Sequence, residues 1–126
     1  MKPIIKSYHA LELFEVDEYY KPKDITNFGF TFELQIGLCN SKVEETFTLF
    51  VCSPKWLLQN LDKNEIILGL NYLIMQEYDF FRLKMWLENY INHCSANSWE
   101  EIVKKISRLG RWENDDFTKW PENIDN

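Results

Sequence analysis

Val51-Cys52-Ser53-Pro54-Lys55-Trp56-Leu57-Leu58 decides the architecture, because a strand ends and a helix begins inside it. Residues 45–52 alternate: Phe47, Leu49 and Val51 point one way, Thr46, Thr48 and Phe50 the other. Ser53 can cap the first free N–H groups of a helix, and Pro54 fits its first position, where no donor is needed. Trp56, Leu57 and Leu58 then offer the apolar surface that presses a short helix onto a sheet. Everything upstream reads as strand and turn, and downstream one more strand leads into two helices.

Working upstream, residues 28–38 form the clearest strand. Phe28, Phe30, Phe32, Leu34, Ile36 and Leu38 line one face, and Thr31, Glu33 and Gln35 the other. Such alternation puts one face on the core and one in water, the habit of an antiparallel sheet. The polar turn 39–44 joins this strand to its hairpin partner, 45–52. A first strand is expected over 4–13. Residues 14–27 then make an acidic loop in which Pro22 blocks regular pairing.

Downstream, 62–65 is a polar turn and 66–76 a mostly apolar run interrupted by Gly69, which predicts a bend before a strand at about 71–77. Asp79 caps the next helix, whose stripe is Phe80, Leu83, Leu87, Tyr90, Ile91 and Cys94, with Met85 and Trp86 at its edge. Ser98-Trp99-Glu100-Glu101 has the form of a capping box, and Trp99, Ile102, Val103, Ile106 and Leu109 follow as a buried stripe. Gly110 is expected to end that helix as a left-handed cap. Arg111-Trp112-Glu113 suits a brief closing strand, and the acidic remainder a loosely ordered tail from about 115 to 126. The fold class is α+β: an antiparallel sheet of about four to five strands packed against two C-terminal helices plus one short helix, in the order β-β-β-α-β-α-α-(β).

The chain has 126 residues, enough for one domain with a substantial core. Acidic residues outnumber basic ones 20 to 14, for a net charge of −6, so a nucleic-acid partner is not expected, since phosphate contacts need a basic patch. Cys39, Cys52 and Cys94 are odd in number and lack metal-ligand spacing. Cys52 and Cys94 read as small buried apolar residues in a reducing, cytoplasmic setting. No run is long enough for a signal peptide or a membrane span, so no membrane partner is expected.

Reactive chemistry finds little purchase. His9 sits in the first strand and His93 beside Cys94 near a helix end, where its ordinary role is to meet the terminal carbonyls. No metal site and no cofactor is expected from them, because zinc needs three or four converging ligands. Gly29, Gly37, Gly69 and Gly110 make no phosphate-cradling loop. An enzymatic alternative would use Cys52, whose position at a helix start could activate a thiol, or a carboxylate pair. Against it stands the lack of any oxyanion-hole loop or orienting third residue.

What remains is surface. Two groups of carboxylates are interleaved with aromatics: Glu12, Glu15, Asp17 and Glu18 with Tyr19 and Tyr20, and Glu113, Asp115 and Asp116 with Trp112 and Phe117. Aromatic anchors among steering charges suit a protein interface, although a solvated loop has the same composition.

Several stretches taken together resemble the bacterial immunity protein 8 family. They are Asn27-Phe28-Gly29-Phe30, the Val51 to Leu58 stretch, Gly69-Leu70-Asn71-Tyr72-Leu73-Ile74, Ser98-Trp99-Glu100-Glu101-Ile102 and Ser107-Arg108-Leu109-Gly110-Arg111-Trp112-Glu113. The resemblance runs in order over nearly the whole chain and rests on strand ends, caps and tryptophans. It implies a non-enzymatic cytosolic antitoxin of a polymorphic-toxin or contact-dependent inhibition system. Such a protein binds a cognate toxin domain and blocks it. Many of those toxins are nucleases with basic substrate surfaces, which an acidic partner can cover. A regulatory adaptor for another protein partner would share these surface features.

Overall fold

The apolar alternation of 28–38 and 45–52 becomes a long hairpin onto which every other element is laid. The computed structural model describes residues 1–11 and 20–115. Its elements are β1 (Pro3–Ala10), β2 (Gly29–Leu38), β3 (Glu44–Cys52), α1 (Pro54–Asn60), β4 (Tyr72–Ile74), α2 (Phe80–Asn92), α3 (Trp99–Ile106) and β5 (Arg111–Trp112). This is the expected α+β order, with the strands in one sheet ordered β1-β2-β3-β4 and β5 also paired to β3.

The sheet is mixed, where an antiparallel one was expected. β1, β2, β3 and β5 pair antiparallel, but β4 runs parallel to β3, with Phe50 beside Tyr72, Val51 beside Leu73 and Cys52 beside Ile74. The reason is the connection: α1 and the segment 61–71 carry the chain back to where it can re-enter in the same direction, as a parallel pairing requires. β4 is also shorter than the expected 71–77. Two left-handed residues, Gly69 at φ 70° and Asn71 at φ 59°, steer the chain into it. Asn71 tolerates that conformation better than most residues, and its Nδ2 donates to the Ser107 carbonyl at 3.0 Å.

β1 contains a bulge that the alternation rule does not anticipate. Ile5 faces Ile36 and Ser7 faces Gln35, so Lys6 is the extra residue. Its effect is on parity. Pro3 and Ile5 face the core before the bulge, Tyr8 and Ala10 after it, although a regular strand would turn one pair outward.

The core fills the space between one sheet face and α2 with α3. Phe30, Phe32, Leu34, Ile36, Phe47, Leu49 and Val51 from the hairpin meet Leu83, Leu87 and Ile91 of α2 and Ile102, Val103 and Ile106 of α3. Tyr8 reaches across this layer, stacked on Phe32 with its hydroxyl donating to Glu88 at 3.2 Å. Both helices start as the sequence indicates: Asp79 accepts from the Arg82 N–H and Ser98 from the Glu101 N–H, each at 3.2 Å. The returning half of the capping box, from Glu101 to the Ser98 N–H, does not form among the described residues. One stable cap suffices where α3 has such a strong buried stripe.

Gly110 is not a left-handed cap, since the positive-φ residues among those described are Gly69 and Asn71. α3 ends earlier, with Ser107 donating its hydroxyl to the Val103 carbonyl at 2.7 Å. Gly110 serves close approach instead: a Cβ there would lie 3.3 Å from that of Phe47. α1 departs from expectation too. It lies on the opposite sheet face and buries no residue fully, and Leu58 is 80% exposed. Trp56 is its aromatic anchor, against Phe50 at a centroid distance of 4.8 Å, and Phe50 also meets Tyr72, while Lys55 pairs with Asp24 and Gln59 accepts from Asn27.

Candidate functional site

Of the residues singled out as a binding surface, Glu12, Glu15, Asp17, Glu18, Tyr19, Asp116 and Phe117 lie outside the described residues. Tyr20, Trp112, Glu113 and Asp115 lie within them. Tyr20 packs edge-on against Tyr78 at 5.3 Å, and Tyr78 in turn meets Phe28 and Phe30. Its half-buried ring pushes the phenol pKa upward by desolvation. Trp112 pairs with Phe47 and packs against the core, its indole N–H buried without an acceptor among the described residues. Both aromatics are therefore anchored inward, whereas Glu113 and Asp115 are exposed.

The two aromatics are also not neighbours. Tyr20 lies by the Phe28 end of β2, whereas Trp112 lies by Phe47, which pairs with Leu34. Six positions of strand separate Phe28 from Leu34, roughly 20 Å at ~3.3 Å per residue.

Tertiary pairing adds acidic residues to the second group. The Glu113 N–H donates to the Thr46 carbonyl at 2.9 Å, which brings Glu113 and Asp115 beside the start of β3, where Glu44 and Glu45 stand. Glu45 is itself engaged: it accepts from the Trp99 indole N–H and, at 3.5 Å, from Asn114 Nδ2. It thus ties α3 to the turn after β5. Glu44, Glu113 and Asp115 remain exposed, and none of the three forms an ion pair with a described residue. Sequence reading missed Glu44 and Glu45 because they are 68 or more residues from Glu113 along the chain and adjacent to it only through the β3–β5 pairing.

The chemistry-bearing residues sit apart. Cys52 is fully buried, and burial pushes its thiol pKa up, the opposite of what an activated nucleophile needs. The helix start beside it is occupied by Ser53, whose Oγ accepts from the N–H groups of Phe28 and Trp56. His93 Nδ1 is 2.7 Å from the Asn89 carbonyl, the helix-end role expected for it, and His9 is exposed on β1 opposite Glu33. Among the described residues no three His, Cys, Asp or Glu side chains converge as metal ligands, and no helix is long and apolar enough to cross a membrane.

The arrangement offers an acidic rim at the β3–β5 end, a solid core beneath it and no reactive cluster among the described residues. No curated protein and no solved structure matches the chain. A family model described as immunity protein 8 matches residues 4–117, which includes every described strand and helix except the first residue of β1. With a match over so much of its length, the chain belongs to the immunity protein 8 family, and its role is that of an immunity protein.

Proposed function

We propose that this protein is the cytoplasmic antitoxin of a contact-dependent growth inhibition or polymorphic toxin system, and that it neutralises a cognate bacterial toxin domain by covering its active or substrate-binding surface. The family match over residues 4–117 carries the reading. The charge pattern supports a nuclease as the toxin. A nuclease presents a basic substrate surface, and a protein of net charge −6 with a rim of exposed carboxylates associates with such a surface quickly. The burial of Cys52 supports action by binding rather than through a reactive thiol at that position.

The test is co-expression. Cells producing the toxin domain encoded beside this protein should grow when it is present and stop when it is not, and the two chains should purify together. A toxin that kills equally well in its presence, with no complex recovered, removes the proposal.

A further inference from the structure

Residues 61–70, which join α1 to β4, are exposed without exception. Ile66 is 95% and Leu68 78% accessible, and a Cβ added to Gly69 would meet nothing within 4 Å. The first half of the segment is a turn, in which the Glu65 N–H donates to the Asp62 carbonyl at 2.9 Å and the Asp62 N–H to the Glu65 carboxylate at 3.0 Å. From 66 to 70 no backbone group bonds a described residue. Other described connections are tied down. Between β2 and β3 the Ser41 N–H donates to the Leu38 carbonyl at 3.1 Å, and the Ser41 carbonyl accepts from Lys6. Before α2 the Tyr78 N–H donates to the Ile25 carbonyl at 2.7 Å, and between α2 and α3 the Ala96 N–H donates to the Met1 carbonyl at 3.2 Å.

The same segment divides the core. β1, β2, β3 and α1 precede it, and β4, α2, α3 and β5 follow. Phe32, Leu34 and Leu49 from the first part are buried with Leu87, Ile91 and Ile102 from the second. Strand pairing and side-chain bonds cross the divide as well: Cys52 lies beside Ile74, Thr48 beside Arg111, and the Tyr8 hydroxyl donates to Glu88. Each part therefore covers the apolar face of the other, and a break between them leaves that burial in place.

We propose that the segment is a proteolytic modification site of the folded protein. A protease that takes a bulky aliphatic side chain after the scissile bond cuts between residues 65 and 70, and the two fragments stay assembled. Water adds across the peptide C–N bond, leaving a carboxylate on the residue before the cut and an amine on the residue after it. Exposed chain without backbone bonds enters a protease cleft as it stands, so the cut does not wait for unfolding.

The test treats the full protein with thermolysin, a metalloprotease of that preference, at low enzyme ratio. Fragments are identified by mass spectrometry, and the digest is run on gel filtration with and without denaturant. The first cut between described residues should fall at 65–70, and the cut protein should elute as one species that separates only in denaturant. Ile91→Val, which trims one buried methyl group and is first shown by thermal melting to be folded, should be cut at the parent's rate. A cut that depends on global opening would instead quicken several-fold in that variant. A first cut elsewhere among the described residues, no cut among them, fragments that part on native gel filtration, or a faster cut in Ile91→Val each overturns the proposal.

Discussion

Gly29 lies directly under the indole of Trp56: a Cβ built on Gly29 would stand 2.5 Å from the Trp56 ring. The glycine is required by that approach, since nothing in its backbone conformation demands one. Gly29→Ala should therefore destabilise the protein by about 1–3 kcal/mol, the usual cost of overpacking. In a Trp56→Ala background the same change should cost much less, because the clash is gone. Denaturant titration of the four proteins gives the coupling directly. Equal penalties in both backgrounds would mean that Trp56 is not what excludes the side chain.

Asn71 holds the start of β4 through a left-handed backbone and a bond to the end of α3. Asn71→Ala loses the side-chain bond and strains the backbone, and about 1–3 kcal/mol of stability should go with it. Asn71→Gly should recover the conformational part and not the hydrogen bond. Chemical denaturation that ranks the glycine variant below alanine would contradict this assignment.

The three thiols should divide by reactivity. Cys39 is exposed, while Cys52 and Cys94 are buried, and desolvation raises the thiol pKa of both. A disulfide reagent at mildly alkaline pH should modify Cys39 in the native protein and reach the other two only after unfolding. Mass spectrometry of the modified peptides distinguishes the sites. Rapid native labelling of Cys52 would reopen the nucleophile reading that its burial argues against.

Asp24 gives a defined acid sensitivity. Hydrogen bonds from the Thr26 hydroxyl, from Lys55 and from the Thr26 N–H hold its carboxyl pKa down at about 2, against an ordinary 3.8. A depressed carboxyl contributes stability above its unfolded pKa and loses it as the pH falls through the folded one. Asp24→Asn should thus lower the melting temperature slightly at neutral pH, with the difference from the parent protein shrinking as the pH drops from 3.8 toward 2. The residue is exposed, so the effect is screened and salt should diminish it. A difference that widens on acidification would have the wrong sign.

The acidic groups should govern association more than stability. Reversing Glu44, Glu113 and Asp115 to lysine removes the exposed carboxylates of the β3–β5 rim and should slow binding of the toxin domain by about an order of magnitude at low salt, while flattening the salt dependence of the on-rate. The same change at Glu15, Asp17 and Glu18 reports on the first group. Stopped-flow rates across a salt series measure both, and melting temperatures should move little. An unaltered on-rate for either set places that set outside the steering surface.

Much of the fold was legible because it is local. The alternation of Phe28 to Leu38 and of Phe47 to Val51, the caps at Ser53, Asp79 and Ser98, and the stripe from Leu83 to Ile91 each follow from residues within a few positions of one another. Apart from the half-formed capping box at Ser98 and the absent left-handed cap at Gly110, the failures are long-range. The parallel direction of β4, the role of Gly110 beside Phe47 and the inward anchoring of Tyr20 and Trp112 depend on partners that sequence spacing does not reveal. Trp86 illustrates the ambiguity in one residue. Helical spacing places it at the margin of the apolar stripe, and only the packing of α2 against β1 and β2 leaves its ring outside.

By itself the sequence determined which segments become strand and helix, which of their faces is apolar and, through residues spread from Asn27 to Glu113, which family the chain belongs to. The tertiary structure alone decided which carboxylates share a rim and which strand joins the sheet in parallel. Backbone conformation answers to near neighbours, whereas a surface is assembled from residues whose separation along the chain bears no relation to their separation in space.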